Sequence, residues 1–185
     1  MVWPDGTTWL SYADLAGLPE SNRRSELIGG ELIVHPSPSL RHQSVVVELA
    51  SLLWVYAKEH GGKAFLGPLD VYFCEQDVLE PDVLYIRPEH RDRIEERFVR
   101  GAPDLVVEVS SLWSRHLDRV RKRDAYERYG VPEYWYVDLD AGCVEVYRLT
   151  DGRYDRPLAL EPGEALTSPL LPGFALAVDD LLDQS

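Results

Sequence analysis

Asp82, Glu108 and Lys122 are side chains of the types that phosphoryl chemistry uses, and each stands in a telling context. In "PDLVVEVSS", residues 103–111, Leu105, Val106, Val107 and Val109 read as a strand buried on both faces, and Glu108 sits inside that run. An ionised carboxylate is rarely buried unless it is paired or holds a metal. Asp82 opens a second strand, "PDVLYI". Neighbouring strands could bring the two carboxylates to one cleft. Hard cations such as Mg²⁺ take oxygen ligands, usually one or two carboxylates completed by water and phosphate. Such an ion can generate hydroxide, polarise a phosphoryl oxygen and neutralise developing charge. Asp104 shares a strand face with Glu108 but is too far from it, about 13 Å at roughly 3.3 Å per residue, to hold the same ion. Asp82 is the better partner. Glu31, on the second strand around Gly29-Gly30, is a candidate third acid.

Lys122 lies on the helix that follows the strand of Glu108. At about 100° per residue it falls among Tyr129, Tyr126 and Ala125, with Asp118 one turn before it, while Arg119 and Arg123 point elsewhere. Such an arc packs on a sheet, so the lysine stem is buried and its ammonium is delivered to something acidic. Each residue also has a plainer reading. Asp82 can be a strand-edge turn residue, Glu108 half of a buried ion pair, and Lys122 a lysine whose head reaches back to water.

The elements that position these residues follow from periodicity and turn signals. "SYADLAGLPE" reads as a short helix and "SELIGGELIVHP" as a hairpin around Gly29-Gly30. Ser37 and Pro38 offer the start of a helix that runs to about His60 and stops at Gly61-Gly62. His42, Val45, Val46, Leu49, Leu52, Leu53 and Tyr56 form its apolar stripe. "KAFLG", "DVYFCE" and "PDVLYI" are strands, and "PEHRDRIEERF" is a polar helix. "RHLDRVRKRDAYERYG" is a helix ending at Gly130. "PEYWYVDL" and "CVEVYRL" are strands joined at Asp140-Ala141-Gly142, with "RYDRPLAL" extending the sheet. The tail gives a short strand and a last helical turn. The expected fold is α/β, a central mixed sheet flanked by helices with an added N-terminal hairpin, in one domain over residues 1–185.

Composition narrows the function. With 45% hydrophobic residues in 185, the chain can build a full core. No apolar run is long enough to span a bilayer, and "MVWPDGTTW" lacks the basic and apolar regions of a leader. Cys74 and Cys143 have neither zinc-site spacing nor a disulfide-rich context, which suits the cytoplasm. A net charge of −13 argues against a general nucleic-acid coat protein. Yet 11 of the 19 Lys and Arg lie between Arg87 and Arg128, a segment at +2 against −15 for the remainder. That segment can carry a local polyanion surface or a salt-bridged helix face.

"PDV" at 81–83, "EVS" at 108–110 and Lys122 resemble the PD-(D/E)xK nuclease superfamily, which has a restriction-endonuclease-like fold. More narrowly, the chain is similar to the Uma-type restriction endonucleases from about Ser25 to Leu182. The likeness includes "ELIGGELIVHPSP", "RHQ", "GAPDLVVEVSS", "DRVRKRDAYERYGVPEYWYVD" and "SPLLPG". It implies that Asp82 and Glu108, with Val109, hold Mg²⁺ or Mn²⁺, that Glu31 is an accessory acid and that Lys122 is the catalytic lysine. The superfamily expects lysine two residues after the second acid, where this chain has Ser110, so the lysine function moves to Lys122. His42, Arg115 and Arg119 are the expected substrate contacts. The implied activity is Mg²⁺-dependent cleavage of DNA that leaves a 5′-phosphate, by a homodimer or higher homo-oligomer. Two other classes stay open: a non-catalytic nucleic-acid or metal-binding module on the same fold, and an interaction protein whose polar pair is structural. The tyrosines and Trp135 of "PEYWYVD" read as core or subunit interface rather than base-stacking platforms.

Overall fold

The site is carried on a mixed sheet whose strand order follows from one crossover. The structure, a computed structural model, describes residues 9–19, 23–110 and 115–183. The N-terminal "MVWPDGTT", Glu20 at the end of the expected first helix and Ser111 at the end of the expected strand lie outside the described residues. The elements are α1 (Tyr12–Ala16), β1 (Ser25–Ile28), β2 (Glu31–Val34), α2 (Leu40–His60), β3 (Lys63–Leu66), β4 (Val71–Cys74), β5 (Asp77–Leu79), β6 (Val83–Ile86), β7 (Val99–Arg100) and β8 (Leu105–Val109). After β8 come a π-helical stretch, Leu117–Lys122, continued by α3 (Arg123–Tyr129), then β9 (Glu133–Asp138), β10 (Cys143–Thr150), β11 (Arg153–Tyr154), β12 (Leu158–Leu160), β13 (Ala165–Thr167), β14 (Ala175–Ala177) and α4 (Val178–Leu182).

The main sheet runs β11-β10-β9-β8-β6-β3, with β12 also on β10. Only β8 and β9 pair in parallel within it. Parallel neighbours need a crossover, and here the crossover contains the π stretch and α3. The lysine-bearing helix is thereby laid back over the strand that carries Glu108. In the antiparallel pair β6–β8, Leu84 faces Val106 and Val83 faces Val107. One step further along this register sets Asp82 opposite Glu108, at the spacing of cross-strand neighbours.

One face of the sheet, through Val83, Leu105, Val107 and Val109, packs on Val45, Val46, Leu49 and Leu53 of α2. The other face, through Val106, Tyr134 and Tyr136, meets Ala125 and Tyr126 of α3 and Ile28, Ile33 and Leu79 of a second sheet, β2-β1-β5-β4-β7. The expected hairpin thus forms, and β1 lies inside that second sheet with β2 at its edge.

Two local expectations differ. The chain stays non-helical through Ser37 and Pro38, and Ser39 caps α2 by accepting the His42 N–H at 3.1 Å. The expected polar helix is a six-residue 3₁₀ turn, Pro88–Arg93. Asp104 explains it: its carboxylate takes the Arg87 N–H at 2.8 Å, Arg87 Nε at 2.9 Å and His90 Nδ1 at 2.8 Å, drawing the segment onto the sheet. The short strands β5 and β7 had too few residues to register as periodic segments.

Candidate active site

A cavity of about 570 Å³ opens beside the Asp82–Glu108 pair, and Arg24, His42, Asp118 and Ser110 also line it. Asp82 is held at its two oxygens. Oδ1 accepts from Arg24 Nη1 at 2.6 Å, while Oδ2 accepts the Val109 N–H at 2.8 Å and lies 3.3 Å from His42 Nε2. Burial opposes ionisation of Asp82, but the Arg24 guanidinium, with help from His42, holds its carboxyl well below the usual range.

Glu108, fully buried by the strand around it, faces cations on both oxygens. Oε1 accepts from Lys122 Nζ at 2.9 Å and from the Tyr126 hydroxyl at 2.6 Å, and Oε2 accepts from Arg24 Nη2 at 3.2 Å. Lys122 has no exposed side-chain surface. Besides Glu108 it contacts Glu26 at 2.8 Å and Asp118 at 3.7 Å. Burial and Arg24 press its pKa down, but Glu108, Glu26 and Asp118 outweigh them and raise it. The ammonium therefore keeps its proton. Two further groups bear on Glu26: Arg24 Nη2 at 3.2 Å and His35 Nε2 at 2.5 Å. Lys122, Arg24 and His35 overcome burial to hold Glu26 ionised.

The donor set suits a hard divalent cation. Two carboxylates from opposed strands are close enough for one guanidinium to span both. Among the described residues no group of three or more His, Cys, Asp or Glu is arranged to hold a metal ion. Mg²⁺ does not require one, since water and substrate phosphate complete its shell.

The family model Uma2, described as "Putative restriction endonuclease", matches residues 9–179. The chain belongs to the Uma2 family. Its restriction-endonuclease-like fold also aligns with a crystal structure from Anabaena variabilis described as "a putative nuclease belonging to DUF820", at a TM-score of 0.79. The two are 23% identical over 94% of this chain and 97% of the other. No curated protein matches the chain.

Within this Uma2 chain the expected site residues divide into two groups. Asp82, Glu108, Lys122 and His42 converge, and Val109 joins them through its N–H. Ser110, at the superfamily's lysine position, accepts the Leu139 N–H at 2.9 Å. Glu31 lies apart: its side chain is 62% exposed and paired with Arg121 at 2.8 Å. Arg115 is engaged by Asp138 at 2.8 Å, and Arg119 by Glu145, outside the lining of the cavity.

The acid of the hairpin that reaches the cluster is Glu26, and the cation is Arg24; neither is singled out by periodicity or motif. Both strands of "SELIGGELIV" carry a glutamate beside apolar residues, so periodicity cannot rank them. The choice is made by β1 being interior and β2 the edge. Among the described residues no helix is long and apolar enough to cross a membrane.

Glu80 supplies a test of the cluster's electrostatics. Burial, then Glu26, push its carboxyl from 4.5 up to about 8, against the pull of Arg24. A raised folded-state pKa contributes stability below the unfolded value that is lost as pH rises through the folded one. Glu80→Gln, neutral throughout, should therefore gain on the parent between pH 5 and 9, by a few kcal/mol at ~1.4 kcal/mol per unit. Urea unfolding at pH 5, 7 and 9 reads this. Parallel pH curves for the two proteins would contradict it.

Proposed function

We propose that the cleft is a divalent-metal-dependent endonuclease site that hydrolyses DNA phosphodiester bonds. The observation that carries the reading is the cross-strand Asp82–Glu108 pair with a fully buried lysine on the same carboxylate. Asp82 and Glu108, with the adjacent Val109 backbone, are the groups that would hold Mg²⁺ or Mn²⁺. When bound, the ion supplies Lewis acidity to a phosphoryl oxygen and lowers the pKa of its water.

The chain's own groups then have distinct tasks. Lys122 keeps its proton, so, buried behind Glu108 and outside the lining of the cavity, it serves as a fixed positive charge that orients that carboxylate and not as a general base. His42 bonds Asp82 through Nε2, and its Nδ1 has no hydrogen-bond partner among the described residues. That nitrogen is itself buried, so His42 bears on the chemistry through the Asp82 carboxylate that it orients. Arg23, Arg41 and His42 give the cavity a basic wall on an otherwise acidic chain, a local attraction for a polyanion. Water adds to phosphorus, the P–O3′ bond breaks, and the 3′ oxygen takes the proton. Ser110 in the superfamily's lysine position favours a second reading, a nucleic-acid or metal-binding module without cleavage.

We assign the chain to the cytoplasm, in keeping with its free Cys74 and Cys143. We further propose a homodimer. The aromatics of β9 are fully buried, so they supply core rather than interface. Val47, Trp54 and Val55 on the outer side of α2 are about half exposed and are the apolar surface a second copy would cover. Light scattering at micromolar concentration should give twice 21.1 kDa, and a purely monomeric species would refute the dimer.

Cleavage decides between enzyme and binding module. Supercoiled DNA should be nicked with Mg²⁺ or Mn²⁺ and left intact in EDTA. Glu108→Gln should lower the rate at least about 100-fold, since the ion is worth several kcal/mol and 1.36 kcal/mol is a decade. The loss should not come from unfolding, because Lys122 retains Glu26 and Asp118 and is not stranded. Metal binding without nicking would select the module, and full activity in Glu108→Gln would remove Glu108 from the site.

A further inference from the structure

The carboxylate pair already has an organic cation between its members. Arg24 precedes β1, and its backbone is tied into the hairpin by the His35 N–H, which donates to the Arg24 carbonyl at 2.9 Å. Its guanidinium reaches Asp82 at 2.6 Å, Glu26 at 3.2 Å and Glu108 at 3.2 Å, with Nε 3.8 Å from Glu80. The oxygen assignments matter more than the distances. Asp82 Oδ2 is taken by the Val109 N–H, and Glu108 Oε1 by Lys122 and Tyr126. The oxygens that remain for a shared ion are Asp82 Oδ1 and Glu108 Oε2, and both are on Arg24.

We propose that Arg24 is a built-in surrogate for the divalent cation: it holds the Asp82–Glu108 pair together before metal binds and must give up both oxygens when metal arrives. This rests on the nuclease reading above. Two like charges cannot share those oxygens in a largely buried site, because at about 4 Å their repulsion is several kcal/mol at an effective dielectric of about 20. Arg24 therefore sets the metal affinity. It also has somewhere to go: its side chain is 19% exposed and lines the cavity, where a phosphodiester offers the bidentate partner that guanidinium favours. Without Arg24 the two carboxylates would repel each other and bind a free cation tightly in the absence of substrate. With it, the pair is kept neutralised until a cation of higher charge density competes.

The test is Mn²⁺ affinity by electron paramagnetic resonance on the full chain without DNA. Parent, Arg24→Met, Arg24→Lys and Asp82→Asn are compared, with folding of each checked by circular dichroism. Arg24→Met should bind Mn²⁺ at least about tenfold more tightly than the parent. Arg24→Lys should fall between them, because ammonium lacks the planar fork that grips both carboxylates. Asp82→Asn should lose the site. In the parent, ¹⁵N spectra should show the Arg24 guanidinium protected from exchange, and saturating Mg²⁺ should release it. If Arg24→Met does not fold without metal, the parent spectrum decides alone. Unchanged or weaker Mn²⁺ binding in folded Arg24→Met, or an Arg24 signal unmoved at saturating Mg²⁺, overturns the displacement and leaves the nuclease reading standing. Failure of parent and Arg24 variants alike to bind Mn²⁺ overturns both.

Discussion

The buried ammonium of Lys122 is the constraint from which the rest of the site follows. A desolvated lysine is tolerated only where anions meet it in good geometry, and Glu26, Glu108 and Asp118 do so from three different elements. Satisfying it fixes β1 of the small sheet against β8 of the large one and sets the rotation of the helix between β8 and β9. The π-helical stretch belongs to the same requirement: it carries Asp118 and Lys122, both buried and paired with each other, with Lys122 on Glu108. Tyr126, one turn further on, closes the remaining side of Glu108 with its hydroxyl. The apolar packing around this cluster excludes water, which strengthens each of these pairs and raises the cost of leaving any one unmade.

The same constraint links fold to chemistry. A carboxylate kept ionised inside a core is a poor structural economy if a hydrophobic pair would pack as well. Here Asp82 and Glu108 are opposed on one sheet face and open onto a cavity, while the strand faces turned to α2 are apolar. The charged groups thus occupy the face and the end of the sheet that a substrate could reach. Arg115 and Arg119 do not extend this surface, because they are occupied by Asp138 and Glu145.

How much of this the amino-acid sequence discloses depends on the range of the interaction. The long helix α2, the buried strand β8 and the hairpins at Gly29-Gly30 and 140–142 are written in periodicity and turn residues, which are local. The convergence of Asp82, Glu108 and Lys122 is also legible, because a parallel crossover returns the helix over its own strand. The family membership, too, could be read from the motifs between Ser25 and Leu182. Glu26 and Arg24 were not legible. Choosing Glu26 over Glu31 requires knowing which strand of the hairpin is interior, and that is decided by β5, a strand of three residues. Arg24 lies just outside a strand, where no period fixes its direction. The aromatic run of β9 left core and interface as alternatives, and the complete burial of Tyr134, Trp135 and Tyr136 places all three in the core.

Under the proposed function the cross-strand pair exists to hold a divalent cation. Anomalous scattering from crystals soaked in Mn²⁺ tests it without reference to turnover. A strong peak bonded to Asp82 and Glu108 is the expected result. Full soaking with no peak at that position, or a peak only at surface carboxylates such as Glu31, would contradict it and leave the cluster as a structural ion network.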